Sequence, residues 1–242
     1  MPDQINAQDH ASLMTSQVGQ IAASRAGAAS VFQTFGIDFC CHGDRTLADA
    51  LASQGITPAS VLAALETVTG EPLDDWRAVS TPVLIEHIKM RYHAVHLAEL
   101  PKLRDLASKV EATHRSNPAV PAGLAEALAR LFAEIRVHQQ REEVVLFPLL
   151  NRGGGGMARD AIKVMRAEHD DHGAALATIK AITHGIAAPP EACASWRALY
   201  LGLAKFRDDM TMHVHLENNI LFPRFETTEE PDHGNPLSRR NH

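Results

Sequence analysis

His138-Gln-Gln-Arg-Glu142-Glu-Val-Val-Leu-Phe147-Pro148 is echoed later in the chain by His213-Val-His-Leu-Glu217-Asn-Asn-Ile-Leu-Phe222-Pro223. Both copies read His-x-x-x-Glu, then four residues, then Phe-Pro. On a helix, positions i and i+4 project from one face a turn apart, so each copy offers an imidazole and a carboxylate to the same point in space. Transition metals such as iron, manganese and zinc are held by that pair of ligand types. The repeat also selects among neighbours. Glu142 is followed by Glu143, but Glu217 is followed by Asn218, so only the first carboxylate recurs. His215 has Gln140 as its counterpart, which leaves His213 as the repeated histidine. Upstream, His93 and His96 are matched by His169 and His172, so a whole helical hairpin is duplicated.

Around this repeat the composition is that of an ordinary globular protein, with 45% hydrophobic and 21% charged residues. A net charge of −6 argues against a nucleic-acid surface. No apolar run approaches the roughly 18–20 residues that span a bilayer, and the first residues lack the basic and apolar regions of a signal peptide. Three cysteines make no disulfide framework and point to a reducing compartment, the cytoplasm.

The chain reads as all-α, a small N-terminal helical domain followed by an up-down-up-down four-helix bundle. Residues 1–15 read as a flexible N-terminus. A small helical domain covers 16–72: a helix from Ser16 to Phe35 ended by Gly36, a loop carrying Cys40 and Cys41, a short helix opened by the capping box Thr46-Leu-Ala-Asp49, and a third helix begun by Thr57-Pro58 and closed by Gly70. Residues 73–81 read as a linker and 82–226 as the bundle, with Pro101 expected to kink its first helix and Pro148 and Pro223 to end the second and fourth. The tail, 227–242, is polar. His114, His184 and His215 are expected to be solvated, and Cys193 to be structural.

One set per bundle helix collects His93, His138 with Glu142, His169, and His213 with Glu217. One metal would leave too many ligands. Two metals sharing two bridging carboxylates use all six, and leave a coordination position open at each. Ligation by nitrogen and oxygen without sulfur favours iron or manganese over a closed structural zinc site. His87, His96 and His172 are the substitutes that leave the repeat unpaired or lie a turn away. The trailing Leu-Phe-Pro packs the bundle end in this reading and carries no chemistry.

Three segments carry a family resemblance: Phe35-Gly-Ile-Asp-Phe-Cys40-Cys41 with Thr46-Leu-Ala-Asp49 after it; Arg91-Tyr92-His93 with His138-x-x-x-Glu142-Glu143; and Glu168-His169-Asp170 with His213-x-x-x-Glu217-Asn218-Asn219. The bundle resembles the hemerythrin-like family, and residues 16–226 together resemble the repair-of-iron-centres family of di-iron proteins. The resemblance implies two non-haem iron ions per chain in an oxo- or hydroxo-bridged centre, bound by the same six residues, with Glu142 and Glu217 bridging. It also places carboxylates near the site at Glu134 and Glu168, where an outer-shell or proton-relay role is reasonable. Oxygen-carrying hemerythrins use a fifth histidine four residues after the one matched by His169. Here Gly173 stands in that place, which disfavours a pure oxygen carrier and favours reactive or labile iron.

The function that the resemblance implies is repair of iron–sulfur clusters damaged by nitrosative or oxidative stress, through supply of labile iron to damaged iron–sulfur proteins. Two alternatives stand beside it: direct reduction of nitric oxide at the di-iron centre, or a carrier or sensor of oxygen or nitric oxide. Cys40 and Cys41 carry two readings, small partly buried residues or a thiol pair that passes iron or senses redox state. Adjacent cysteines rarely bridge each other without strain. His42 beside them, when protonated, would lower a thiol pKa. A homodimer is compatible with this architecture.

Overall fold

The computed structural model describes residues 7–68 and 76–226; Gly70, the first part of the expected linker (73–75), the tail 227–242 and residues 1–6 lie outside them. The regular structure among the described residues is helical, with an isolated bridge between Gln17 and Thr46. None of their helices is long and apolar enough to cross a membrane.

The N-terminal part holds five short helices rather than three: α1 Ala7–Thr15, α2 Val18–Ser24, α3 Ala28–Phe35, α4 Leu47–Gln54 and α5 Pro58–Thr67. The segment expected to be flexible thus contains α1. The single helix read over Ser16–Phe35 is broken at Gly27, whose φ of 77° no helix interior permits. Thr46 caps α4 by accepting the Asp49 backbone N–H, and Gly36 ends α3 in the left-handed region, as expected. Val18, Phe32, Phe39, Leu47, Val61 and Leu65 form a separate apolar core here.

The bundle begins at α6 Thr81–Ile88, one residue before the expected 82. Trp76 and Val79 before it are docked, because Arg224 donates to both of their carbonyls at 2.7 and 3.0 Å. A π turn, Lys89–His93, joins α6 to α7 Ala94–Thr113. Pro101 lies inside α7 without ending it, and the departure from α geometry comes earlier, at that turn. Then follow α8 Leu124–Arg141, a π turn Glu142–Leu146 and α9 Phe147–Asn151. The third long helix is α10 Gly156–Ile182; the fourth is α11 Ala194–Leu216, continued by a π turn Glu217–Leu221 and α12 Pro223–Glu226. Neither Pro148 nor Pro223 stops its helix as expected. Each follows a π turn, and Phe147 and Phe222 donate their N–H groups to the carbonyls of Glu142 and Glu217, five residues back. The inserted residue turns both the glutamate and the phenylalanine inward.

Side chains divide the bundle along its length. One apolar cluster gathers Leu100, Leu128, Leu131, Trp196, Leu203 and Phe206; another gathers Leu84, Ile88, Phe147, Leu150, Ile162 and Phe222. Between them in every long helix comes a buried polar level: His93 and His96, His138 to Glu142, His169 and His172, His213 to Glu217. Burying ionisable groups is costly unless they are paired or bind a cation.

Candidate metal centre

The six side chains singled out by the repeat meet at that level, each 3% exposed or less. They form two groups that share both glutamates: His93 and His213 in one half, His138 and His169 in the other, with Glu142 and Glu217 between. Within each half the two Nε2 atoms are 3.1 Å apart. Glu142 Oε2 lies 3.4 Å from Nε2 of both His93 and His138, midway between the halves. Glu217 turns one oxygen to each half, Oε2 at 3.1 Å from His169 and Oε1 at 3.2 Å from His213.

Outer hydrogen bonds decide which nitrogen faces inward. His93 Nδ1 meets Glu143 Oε1 at 2.8 Å, His138 Nδ1 meets Glu168 Oε2 at 2.7 Å, and His169 Nδ1 meets Asn218 Oδ1 at 2.9 Å. Each oxygen accepts, so each Nδ1 carries the hydrogen. When a metal occupies the centre, Nε2 then presents its lone pair to it. The carboxylates accordingly find no hydrogen-bond donor among the described residues: both oxygens of Glu142 and of Glu217 are buried without one. Three imidazoles with their lone pairs set inward, the inward Nε2 of His213 and two carboxylates without a donor fit a pair of cations.

The electrostatics of the cage tie its histidines to its carboxylates. Burial alone would lower His93 and His169, yet Glu142 and Glu217 push His93 up to about 10, and Glu217 leads in pushing His169 up to about 9. Burial would raise Glu217, but His213, His169 and His93 hold it well below its ordinary value. Protons and cations would compete for these imidazoles, since only the neutral ring binds a metal. His96 and His172, one turn beyond, are pushed down by burial to about 2 and about 3, and stay neutral.

Several placements differ from expectation, and several partners were not read from the sequence. Glu143, set aside because Asn218 stands in the second copy, does the same work as Asn218: each follows its glutamate and accepts from the first histidine of its own hairpin. The signal was in the repeat, in two acceptors at one position. The phenylalanines given no chemistry stack on cage histidines, Phe147 on His93 and Phe222 on His169. His215 is buried rather than solvated; burial lowers it to about 4, and Phe39 packs edge-on against it. His114 is half-buried, 3.1 Å from Cys193 at the N-terminus of α11, whereas His184 is exposed. Glu168 touches a cage residue, but Glu134 is exposed and bonds none among the described residues. It lines a cleft of about 670 Å³ with His138, Arg141, Glu168, Asp171 and His172.

Cys40 and Cys41 are free thiols, 3.7 Å apart, in a loop laid against the bundle. Cys41 Sγ reaches the His169 carbonyl at 3.8 Å. His42 beside them turns its Nδ1 to Asp38, at 2.7 Å from Oδ2. The Cys41 thiol, burial and the Asp38 carboxylate hold Cys40 well above its ordinary pKa.

Comparison with known proteins agrees with this geometry. The family model described as the hemerythrin HHE cation binding domain matches residues 84–225, and a domain of unknown function (DUF542) matches residues 14–69. The iron-sulfur cluster repair protein YtfE of Citrobacter koseri is 41% identical over 208 residues, 86% of this chain and 94% of the relative. Its namesakes in Escherichia coli O157:H7 and Salmonella newport are 40% identical over the same shares. The chain belongs to this family. A cation-binding helical bundle with buried His and Glu groups is what the fold, the match and the cage have in common.

Proposed function

We propose that this protein repairs iron–sulfur clusters damaged by nitrosative or oxidative stress, supplying iron from a carboxylate-bridged pair of non-haem iron ions in a reducing cytoplasm. The observation that carries the reading is the cage itself: two imidazoles per half, two shared carboxylates, and no donor for either carboxylate but a cation. The nitrogen and oxygen donor set suits iron or manganese better than structural zinc, and the relatives' name supplies the target class. Iron so held would be redox-active and, with only two histidines per half, labile enough to serve as cargo. His93, His138, His169 and His213 would bind it, Glu142 and Glu217 would bridge it, and Glu143, Glu168 and Asn218 would orient the imidazoles. The cleft beside His138 and His172 gives cargo and small molecules a path, with Glu134 and Glu168 on its wall to carry protons. Asp38, Cys40 and Cys41 form a three-donor group over the same half, placed to take up departing iron.

The test is anaerobic iron loading with metal quantitation and Mössbauer spectroscopy, followed by transfer of 57Fe to a protein whose cluster nitric oxide has broken. Two coupled irons per chain, and label appearing in the rebuilt cluster, are expected; no iron bound, or none transferred, sinks the reading. The cleft favours a second reading, direct reduction of nitric oxide. Catalytic nitrous oxide from reduced protein with an electron donor supports it, and stoichiometric binding alone removes it.

A further inference from the structure

The Cys40–Cys41 loop is joined to the cage by one side chain. Asn218 Nδ2 donates to the Cys40 carbonyl at 3.2 Å, while Asn218 Oδ1 accepts from His169 Nδ1 at 2.9 Å. A carbonyl can only accept, so it fixes which end of the amide faces the loop. That leaves the amide oxygen towards His169 and fixes the hydrogen on Nδ1. The loop is seated by its neighbour, since Asn219 Nδ2 donates to the carbonyls of Phe39 and Cys40, both at 3.1 Å. Gly19 and Gly43 make room: a Cβ on either would stand 2.6 or 2.1 Å from Asn219 Oδ1. In the other half, the residue matching Asn218 is Glu143, whose partly exposed carboxylate holds His93 without a bond to the N-terminal helices among the described residues.

We propose that Asn218 is a positioning residue through which the docked Cys40–Cys41 loop holds metal in the His138/His169 half, so that undocking the loop releases that ion first. This deepens the iron-supply reading and rests on it for its purpose, though not for its physics. Outer partners of a ligand histidine are worth about 10–100-fold in metal affinity, and coupling between two sites is reciprocal. Metal in this half must therefore hold the loop down as much as the loop holds the metal.

The experiment measures chelator-driven metal release from the full chain, loaded with iron(II) anaerobically and, in parallel, with zinc(II). Wild type, Gly43→Ala, Asn218→Ala and the double variant are compared. Each single change should speed loss of one of the two ions about tenfold and leave the other unaltered. The double variant should be no faster than the faster single, because both cut the same link. Equal acceleration of both ions, no acceleration, or additive effects would overturn the proposal. Asn219→Ala removes the loop's anchor without adding atoms, and stands in for Gly43→Ala if that variant does not fold. Alkylation of Cys40 and Cys41, followed by peptide mass, gives the reciprocal readout: metal should slow it several-fold in wild type and not in Asn218→Ala. The zinc arm separates the two ideas. Coupled release of zinc with no uptake of iron would leave the latch standing and sink the iron reading.

Discussion

The two hairpins bring the same His and Glu set to the cage and surround it differently. In the half built on His93 and His213, Tyr92 stacks on the His213 ring at 5.5 Å and 7°, and Asp209 one turn before His213 is clamped by Arg91 and Lys205. At the matching positions of the other half stand Glu168, which accepts from His138, and Glu134, exposed on the cleft wall. The first half is closed by an aromatic ring and an ion cluster; the second opens to solvent and carries the cysteine loop. The side chains that face the centre are alike in the two halves. What lies behind them answers to access and exchange, and there the halves differ.

The largest test of that division is to remove shared and unshared ligands in turn. Glu217→Ala takes a donor from both halves and is expected to weaken both ions by more than the roughly 100-fold that an outer partner can be worth. His138→Ala should empty only the open half, leaving one ion per chain by metal quantitation. If His138→Ala also loses the second ion, the halves are one cooperative unit and their comparison loses its meaning.

A smaller effect is expected one layer out. Glu143→Ala should weaken metal in the closed half, and Glu168→Ala in the open half, each about 10–100-fold. Titration with a competing chelator would resolve them as opposite changes in a two-step curve. His213 has no partner on Nδ1, so no comparable loss should follow Tyr92→Phe, which keeps the stacked ring.

How far this was legible follows from what a repeat records. Four of the six candidate side chains form two i, i+4 pairs, each on one helix, and helix geometry alone turns that offset into a shared face; His93 and His169 are marked by matching places one helix upstream. The all-α bundle was legible for the same reason. Outer partners are set by contacts between helices, Asn218 reaching His169 of α10, and no spacing along one helix reports that; Glu168 was reached through the family resemblance alone. Glu143 was dismissed because identity was compared where function was what recurred: glutamate and asparagine both accept a hydrogen bond. The π turns escaped because Phe147-Pro148 reads as a stop, although a missing N–H can equally be absorbed by widening the turn before it. The seating of the cysteine loop depends on two glycines near one asparagine in space, far apart in the chain.

The ion cluster that closes the first half makes a stability prediction with a sign. Burial pushes Asp209 up, but hydrogen bonds from Arg91 and Lys205 outweigh it and hold the carboxyl below its ordinary value. Its stabilisation is therefore fully present above an unfolded pKa of about 3.9, and is lost as pH falls through the lower folded value. Arg91 and Lys205 are about half exposed, which limits the effect to about 1–2 kcal/mol at neutral pH. Urea unfolding of metal-free Asp209→Asn against wild type should show that gap near pH 7, shrinking below pH 4. Glu134→Gln, the matching change in the open half, should stay within about 0.5 kcal/mol at both values. A gap unchanged at low pH would mean that Asp209 acts through packing and not through charge.

The smallest expected effect asks whether the open half is open by its side chains or by its backbone. Gly173 lies in the middle of α10, exposed, four residues after His169, and a Cβ there meets nothing within 4 Å. Gly173→Ala should raise stability by about 0.5–1 kcal/mol, through helix propensity and a less flexible unfolded chain. If the cleft alone sets access, metal release from the His138/His169 half should be unaltered by the change. Slower release with unaltered affinity would instead show that α10 opens locally at Gly173 as metal leaves. The difference between the halves would then lie in motion as well as in lining, and a glycine would be working as a hinge where the oxygen carriers place a ligand.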